Sequence, residues 1–311
     1  MSSSRALIIG PDSTGRCEDI FRHSQKMRAI EEVVVRLAAV PTPVLIRGES
    51  GVGKECIAVA IHHRSDRSDR PFLKLPCAAL PPDRLEAELK EMEQAAQGAT
   101  LFLDEVGEAP AATQARLFQI VSDDSADIRV LAATSVDMYR LVAAGLFRSN
   151  LYERLAVATI DVPPLRHRRE EIDSLVQRFL ERFAREFHRP VPLVSEVMAE
   201  LLRTYTWPGN VRELEQIVKR WVVLGDEDHV RDEFEARRIA EQSAHMTTSN
   251  GHLGLRDIAR RAAREAERVA LEEALRHFRG NRAAVARHLK VSYKTLLQKL
   301  DAAGLSGKRA G

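Results

Sequence analysis

With 311 residues, 44% of them hydrophobic and 30% charged, the chain has material for two or three domains with cores of their own. No window approaches the roughly 20 apolar residues that a bilayer-spanning helix needs, and the start, Met1-Ser-Ser-Ser-Arg-Ala, lacks the apolar core of a signal peptide, so a soluble, cytoplasmic protein is expected. The formal net charge of +2 conceals an asymmetry: residues 256–309 carry fourteen Lys/Arg against six Asp/Glu, a net of +8 that leaves −6 for the rest.

A basic block on a slightly acidic body points to a polyanion bound at one end of the molecule, although a solvated basic helix face gives the same count. The three cysteines, Cys17, Cys56 and Cys77, show no Cys-x-x-Cys spacing and are too few for a disulfide framework, which agrees with a reducing compartment.

Some twenty residues precede the first convincing helical pattern, too few for a sensory domain. Residues 1–20 therefore read as a short extension, and any input signal is expected from elsewhere. From about residue 40 to 165 short apolar runs alternate with helical patterns: Val44-Leu-Ile, Phe72-Leu-Lys-Leu, Leu101-Phe-Leu and Ile128-Arg-Val-Leu. That alternation predicts an α/β subdomain over 21–170, a parallel sheet flanked by helices. Strand signals then vanish, and Ile172, Leu175, Val176, Phe179 and Phe183 fall at helical spacing, which predicts a helical subdomain over 171–242. The polar stretch 243–255, rich in Gly and Ser/Thr, is the linker candidate.

Residues 256–308 read as three helical segments. A long first pattern runs over 256–278 and stops at Gly280-Asn281. A short helix, Arg282 to Leu289, then meets the tight link Lys290-Val291, and Ser292 caps a last helix from Tyr293 to Leu300. Two short helices joined this way match a helix-turn-helix, with Ser292, Tyr293, Lys294, Thr295, Gln298 and Lys299 as the candidate DNA contacts. A three-helix packing module remains the plainer alternative.

Two motifs carry chemistry. The strand Val44 to Arg47 runs into Gly48, Glu49, Ser50, Gly51, Val52, Gly53, Lys54 and Glu55, followed by a helix with Ile57 and Ile61 one turn apart. Glycines let backbone N–H groups converge on phosphate oxygens, the helix N-terminus favours negative charge, and Lys54 reaches the β- and γ-phosphates. The usual Ser or Thr magnesium ligand is replaced by Glu55. About fifty residues on, the apolar run Ala99-Thr-Leu-Phe-Leu ends in Asp104 and Glu105. Alone this could be a strand entering a solvated turn. Paired with a phosphate loop, it predicts that Asp104 holds Mg2+, through water, and that Glu105 orients the attacking water.

The segments from Gly48 to Glu55, Cys77-Ala-Ala-Leu, Thr100-Leu-Phe-Leu-Asp-Glu-Val-Gly-Glu, Ala132-Ala-Thr, Phe147-Arg-Ser-Asn-Leu-Tyr-Glu-Arg-Leu and Trp207-Pro-Gly-Asn-Val-Arg-Glu-Leu resemble, in order, the central AAA+ domain of sigma-54-dependent transcription activators. The match covers roughly residues 20–240. Gly280-Asn-Arg-Ala-Ala-Val-Ala and Val291-Ser-Tyr-Lys-Thr-Leu-Leu-Gln-Lys-Leu, with Gly304-Leu305 behind, resemble the Fis-type domain that ends those activators. The resemblance implies an AAA+ phosphate-loop sheet with a helical lid, ATP and Mg2+ as cofactors, and Glu after the loop lysine. Arg148 and Arg154 become candidate arginine fingers toward a neighbouring subunit, Arg212 the sensor arginine of the lid, and Ser135 a contact near the nucleotide. It also implies self-association as a dimer or ring, and a palindromic operator or enhancer in double-stranded DNA.

The chain departs from that family in three places. The family's sigma-contacting Gly-Ala-Phe-Thr-Gly-Ala loop is missing, because Leu80 leads through one uninterrupted helical pattern to Gly98. The insertion ahead of Ala132-Ala-Thr is reduced to Ser122–Asp127. Pro76 and Ser135 stand where the family places asparagines, and proline offers no side-chain hydrogen bond. The expectation is an ATP-binding, DNA-binding regulator with slow hydrolysis that does not remodel sigma-54 polymerase and works as a repressor or with ordinary RNA polymerase. The alternative is an ATP-hydrolysing sigma-54 activator whose contact element is the extended helix near Leu89.

Overall fold

The computed structural model describes residues 7–8, 20–77, 98–123, 127–232, 234, 271, 278, 281–288 and 293–302. The chain divides into two compact units, Met1–Arg231 and Asp232–Gly311. The first is built on a six-stranded sheet of β1 (Leu7–Ile8), β2 (Val44–Arg47), β3 (Phe72–Pro76), β4 (Thr100–Asp104), β5 (Arg129–Thr134) and β6 (Ala158–Asp161). Its order is β1-β3-β4-β5-β2-β6, with β1 antiparallel to β3 and every other pairing parallel. The expected α/β sheet is therefore present, and β1 is an element that the reading of residues 1–20 as a plain extension did not foresee.

Each central strand is apolar on both faces, as a parallel sheet covered on both sides requires. Leu45, Leu73, Leu75, Leu101, Leu103, Val130 and Ala132 enter one core cluster. Their strand neighbours Val44, Ile46, Phe72, Phe102, Leu131 and Ala133 enter the other. The first cluster is closed by α3 (Ala111–Ser122) and α5 (Ser149–Leu155), through Leu117, Leu151 and Leu155. The second is closed by α1 (Gln25–Ala38) and α2 (Lys54–His63), through Met27, Val34, Ile57 and Ile61. Arg129, buried in β5, donates to the carbonyls of Ala38 (3.1 Å) and Leu37 (2.6 Å), satisfying acceptors that the end of α1 leaves open. A short helix α4 (Met138–Ala143) follows β5.

Downstream lie α6 (Ile172–Glu186), α7 (Glu196–Thr204) and α8 (Asn210–Leu224). Ile172, Leu175, Val176, Phe179 and Phe183 are all buried, as their spacing predicts. They pack in the same helical layer as Leu214, Ile217, Val218 and Trp221 of α8. Cys77 is a buried free thiol, while Cys56 is disulfide-bonded, which runs against the reducing compartment that cysteine number and spacing suggested. Among the described residues no helix is long and apolar enough to cross a membrane.

In the second unit α9 (Arg282–His288) and α10 (Tyr293–Ala302) pack around Leu271, Val285, Ala286, Leu296 and Leu300, with Phe278 against them. Asn281 starts α9: its side-chain oxygen accepts from the Ala284 N–H at 3.2 Å. The two short helices lie where the sequence places them. The long pattern over 256–278 falls outside the described residues except at Leu271 and Phe278, and so do the link 290–291 and Ser292.

Candidate functional site

β2 delivers the chain into the loop 48–53 at the carboxyl edge of the sheet, and Gly53 starts α2 from a left-handed backbone, φ 102°. Gly51 is the most constrained position: its φ is +78°, and a Cβ there would lie 2.3 Å from the Gly209 carbonyl oxygen. Only glycine tolerates both conditions. The loop folds round Lys54, whose side chain is 6% exposed; its ammonium donates to the carbonyls of Gly48 (2.8 Å) and Glu49 (3.3 Å) and pairs with Glu105 at 2.9 Å.

Glu105 follows the last residue of β4 and sits in the left-handed region at φ 53°, ψ 51°. That is uncommon for a non-glycine residue, and it turns the carboxylate back toward β5. There Glu105 Oε2 accepts from the Ser135 N–H (2.7 Å) and the Ser135 hydroxyl (2.8 Å). Burial opposes the ionised form of Glu105, but the contacts with Lys54 and Ser135 outweigh it and hold the carboxyl below its ordinary range. Asp104 pairs instead with Lys74 of β3, at 3.1 Å.

The opposite side of the loop is held by α8 and the segment before α6. Arg166 forks onto Glu49 with contacts of 2.8 and 2.5 Å. Asn210 donates to Glu49 (3.1 Å) and to the Ser50 carbonyl (3.0 Å) while accepting from the Leu165 N–H (2.8 Å). Arg212 donates its guanidinium to the Ser50 hydroxyl at 2.9 Å and its N–H to the Gly51 carbonyl at 3.3 Å. Arg168, buried and paired with Glu171, donates to the Val52 carbonyl at 2.7 Å. The fork from Arg166, against a smaller cost of burial, drives the Glu49 carboxyl down to about 2.

Between these two flanks opens a cleft of about 280 Å³. Gly51, Lys54, Glu55, Asp104, Glu105 and Arg212 line its polar end, and Ile20, Met27, Val59, Leu175 and Phe179 give it an apolar wall. A charged floor beside a flat apolar wall suits a ligand with a phosphate chain at one end and an aromatic ring at the other. Among the described residues no group of three or more His, Cys, Asp or Glu is arranged to hold a metal alone.

The geometry thus gathers the phosphate loop, Asp104, Glu105 and Arg212 round one cleft, with Ser135 joined to it through Glu105. It does not bring Arg148 and Arg154 there: both are exposed, at the start and near the end of α5. Arg166, Arg168, Glu171, Asn210 and Lys74 also reach the site, and the sequence reading did not select them. A faint signal existed for Lys74, a charge inside an otherwise apolar core strand. In the second unit Tyr293 is 51% exposed, whereas Thr295 and Lys299 are half-buried. The side chains of Lys294 and Gln298 lie outside the described set, as does the segment 78–97 that would hold a sigma-contacting loop.

Comparison with known proteins agrees with this layout. Residues 20–161 match the sigma-54 interaction domain, 166–251 an AAA+ ATPase lid domain, and 262–302 the Fis family of bacterial regulatory proteins. The chain is 38% identical to the transcriptional regulatory protein ZraR of Klebsiella oxytoca, over 89% of this chain and 67% of that one. It is 34% identical to the DNA-binding transcriptional regulator NtrC of Escherichia coli (strain K12), over 94% and 71%. It is 35% identical to the nitrogen fixation protein VnfA of Azotobacter vinelandii over 89% of its length, but spans only 57% of that protein. Among solved structures, NtrX from Brucella abortus in complex with ATP superposes with a TM-score of 0.67 at 29% identity, covering 90% of this chain and 68% of that one.

Proposed function

Because the chain belongs to the family of sigma-54-dependent transcription activators, we propose that it is a transcription regulator that binds ATP in the cleft at Lys54 and double-stranded DNA through α9 and α10. The observation that carries this reading is the convergence of Lys54, Asp104, Glu105 and Arg212 on one cleft with an apolar wall, Glu105 being held there by Ser135. In it, residues 21–170 and 171–242 form the nucleotide-binding core and its lid, 243–255 links them to the DNA-binding part, and 256–308 carries the DNA contacts.

Each side chain has a physical task in this reading. Backbone N–H groups of 51–54 and Lys54 neutralise phosphate oxygens, and Arg212 adds a donor from the lid. Asp104, a hard oxygen donor at the open end of β4, would hold Mg2+, which would neutralise phosphate charge there. Glu105, kept ionised by Lys54 and Ser135, orients the attacking water. Exposed Arg148 and Arg154 serve the nucleotide of a neighbouring copy, so hydrolysis requires self-association. Tyr293, Lys294 and Lys299 contact the DNA backbone and Gln298 a base edge, on an operator that is palindromic because two chains pair.

Nowhere does the sequence contain Gly-Ala-Phe-Thr-Gly-Ala. On that ground the regulator acts without remodelling sigma-54 polymerase. A second reading, a hydrolysing activator with another contact element within 78–97, is favoured by the intact hold of Lys54 and Ser135 on Glu105. Two measurements decide. Fluorescent ATP should bind the wild type and bind Lys54→Ala at least about tenfold more weakly; failure of the wild type to bind any adenine nucleotide ends the proposal. Open-complex formation by sigma-54 polymerase that depends on this protein and on hydrolysis selects the second reading over the first.

A further inference from the structure

Lys54, Glu55, Asp104 and Glu105 line the sheet side of the cleft, Lys74 reaches two of them from β3, and the five are paired unevenly. Lys54 is committed to Glu105 and two loop carbonyls. Lys74 takes the other two carboxylates: its ammonium lies 2.7 Å from Glu55 Oε2 and 3.1 Å from Asp104 Oδ2. Lys74 rises from the middle of β3, is 17% exposed and rests 5.9 Å over the Phe102 ring. An ammonium desolvated in a core strand is costly unless carboxylates compensate it, and here two do. Pro76, two residues on and on the same strand face, has no donor, so Lys74 is the β3 side chain that reaches the acidic end of β4.

Its position matters because of what else must use those oxygens. Asp104 is the hard donor at the mouth of β4, and Glu55 holds the helix position where a loop hydroxyl would serve a magnesium ion. A single ammonium already bridges them. A divalent ion on Asp104 would sit beside this fixed positive charge, and the two cations repel.

We propose that Lys74 is a positioning residue that acts as a tethered cation, bridging Glu55 and Asp104 while no divalent ion is bound and giving up Asp104 when a magnesium nucleotide enters. The proposal rests on the nucleotide reading of the cleft. It makes metal alone a poor ligand and couples metal entry to the arrival of phosphate oxygens, which supply the charge that lets Lys74 move. It also makes metal-free nucleotide binding depend on Lys74, because without it Glu55 and Asp104 repel the phosphates.

The test titrates the nucleotide-free full-length chain with Mn2+, reading free Mn2+ by electron paramagnetic resonance. Lys74→Met, which keeps the apolar stem and removes the charge, is expected to bind one Mn2+ about tenfold or more tightly than wild type, and Lys74→Arg to match wild type. With fluorescent ADP, Lys74→Met should bind about tenfold more weakly without metal and recover with Mg2+. Equal Mn2+ affinity in wild type and a folded Lys74→Met overturns the proposal; should that variant fail to fold, Lys74→Gln decides by the same readout. If no form binds ADP with or without Mg2+, the nucleotide reading falls, while the Mn2+ difference still decides the role of Lys74.

Discussion

The two flanks of the phosphate loop are built from the same side-chain chemistry and do opposite things with it. On the sheet side, Lys54, Lys74, Glu55, Asp104 and Glu105 pair with one another at the edge of open space, and each pair can be exchanged for contacts to a ligand. On the lid side, Arg166, Asn210, Arg168 and the main-chain N–H of Arg212 are spent on the loop itself: residues 49, 50, 51 and 52 each receive a hydrogen bond from outside it, while the Arg212 guanidinium faces the cleft. One flank is reactive and the other is a latch. An ion pair therefore indicates a working group only where a ligand could replace one partner, and it indicates a structural device where every donor already ends on the backbone or a fixed carboxylate.

The sharpest way to break this distinction is to force the latch open. Gly51→Ala places a methyl group against the Gly209 carbonyl in a backbone region that costs a side chain energy. The expected loss is about 2–4 kcal/mol, seen as a fall of roughly 5–10 °C in Tm, with nucleotide affinity lost alongside. If Gly51→Ala melts like wild type, the loop and lid are not interlocked as described.

On the reactive flank the expected signature is inverted. Lys54→Ala removes a cation whose main partner is a partly exposed carboxylate, so thermal stability should change by less than in Gly51→Ala. Nucleotide affinity should fall by about ten- to hundredfold, the worth of a charge-assisted contact. Comparing these two variants by melting and by fluorescent ATP binding separates the flanks; a large Tm loss in Lys54→Ala would merge them.

What could be read from the sequence follows the same division. Strands β2 to β5 were legible because a strand buried on both faces must be apolar at nearly every position, and such a run is too short to make a helix. Lys54, Asp104 and Glu105 were legible because loop spacing and strand ends are local features. The latch was not legible. Arg166 and Glu49 are 117 residues apart, and Asn210 and Glu49 are 161 apart, so nothing near either residue marks the pairing. The run Arg166-His-Arg168-Arg-Glu-Glu171 looks like solvated charge until folding buries Arg168 under the loop. β1 escaped for a related reason: two residues take strand geometry only because the edge of β3 is there to pair with. Ser135 was legible as a contact near the nucleotide but not as the partner of Glu105, since its reach to that carboxylate depends on the left-handed turn there.

The ion pair of the latch should also show in acid. Glu49 titrates near 2 in the folded chain against an ordinary 4.5, so its contribution is full above about pH 4.5 and is lost as pH falls from there toward 2. Arg166 and Glu49 are 36% and 42% exposed, so solvent screening cuts the pair to about 1 kcal/mol. Urea melts of wild type and Arg166→Ala should therefore differ by that amount at pH 7, draw together below about pH 4.5 and converge only below about pH 2. A difference that persists undiminished in acid would assign the effect to lost packing of the arginine stem instead.

The smallest expected effect lies where the reactive flank borrows a contact from the sheet. Ser135→Ala deletes the hydroxyl but leaves the backbone N–H on Glu105, so stability should change by no more than about 1 kcal/mol, one hydrogen bond. Because Ser135 and Lys54 together hold the Glu105 carboxyl low, removing the hydroxyl lets it rise toward its ordinary range. Whatever depends on ionised Glu105 is present above that value and lost as pH falls through it. The acid limb of ATP turnover should then shift upward in Ser135→Ala while nucleotide affinity at neutral pH stays within about twofold of wild type, well under 1.4 kcal/mol. An unmoved acid limb would mean that Lys54 and the Ser135 N–H alone set the state of Glu105, and that the hydroxyl belongs with the latch's fixed contacts.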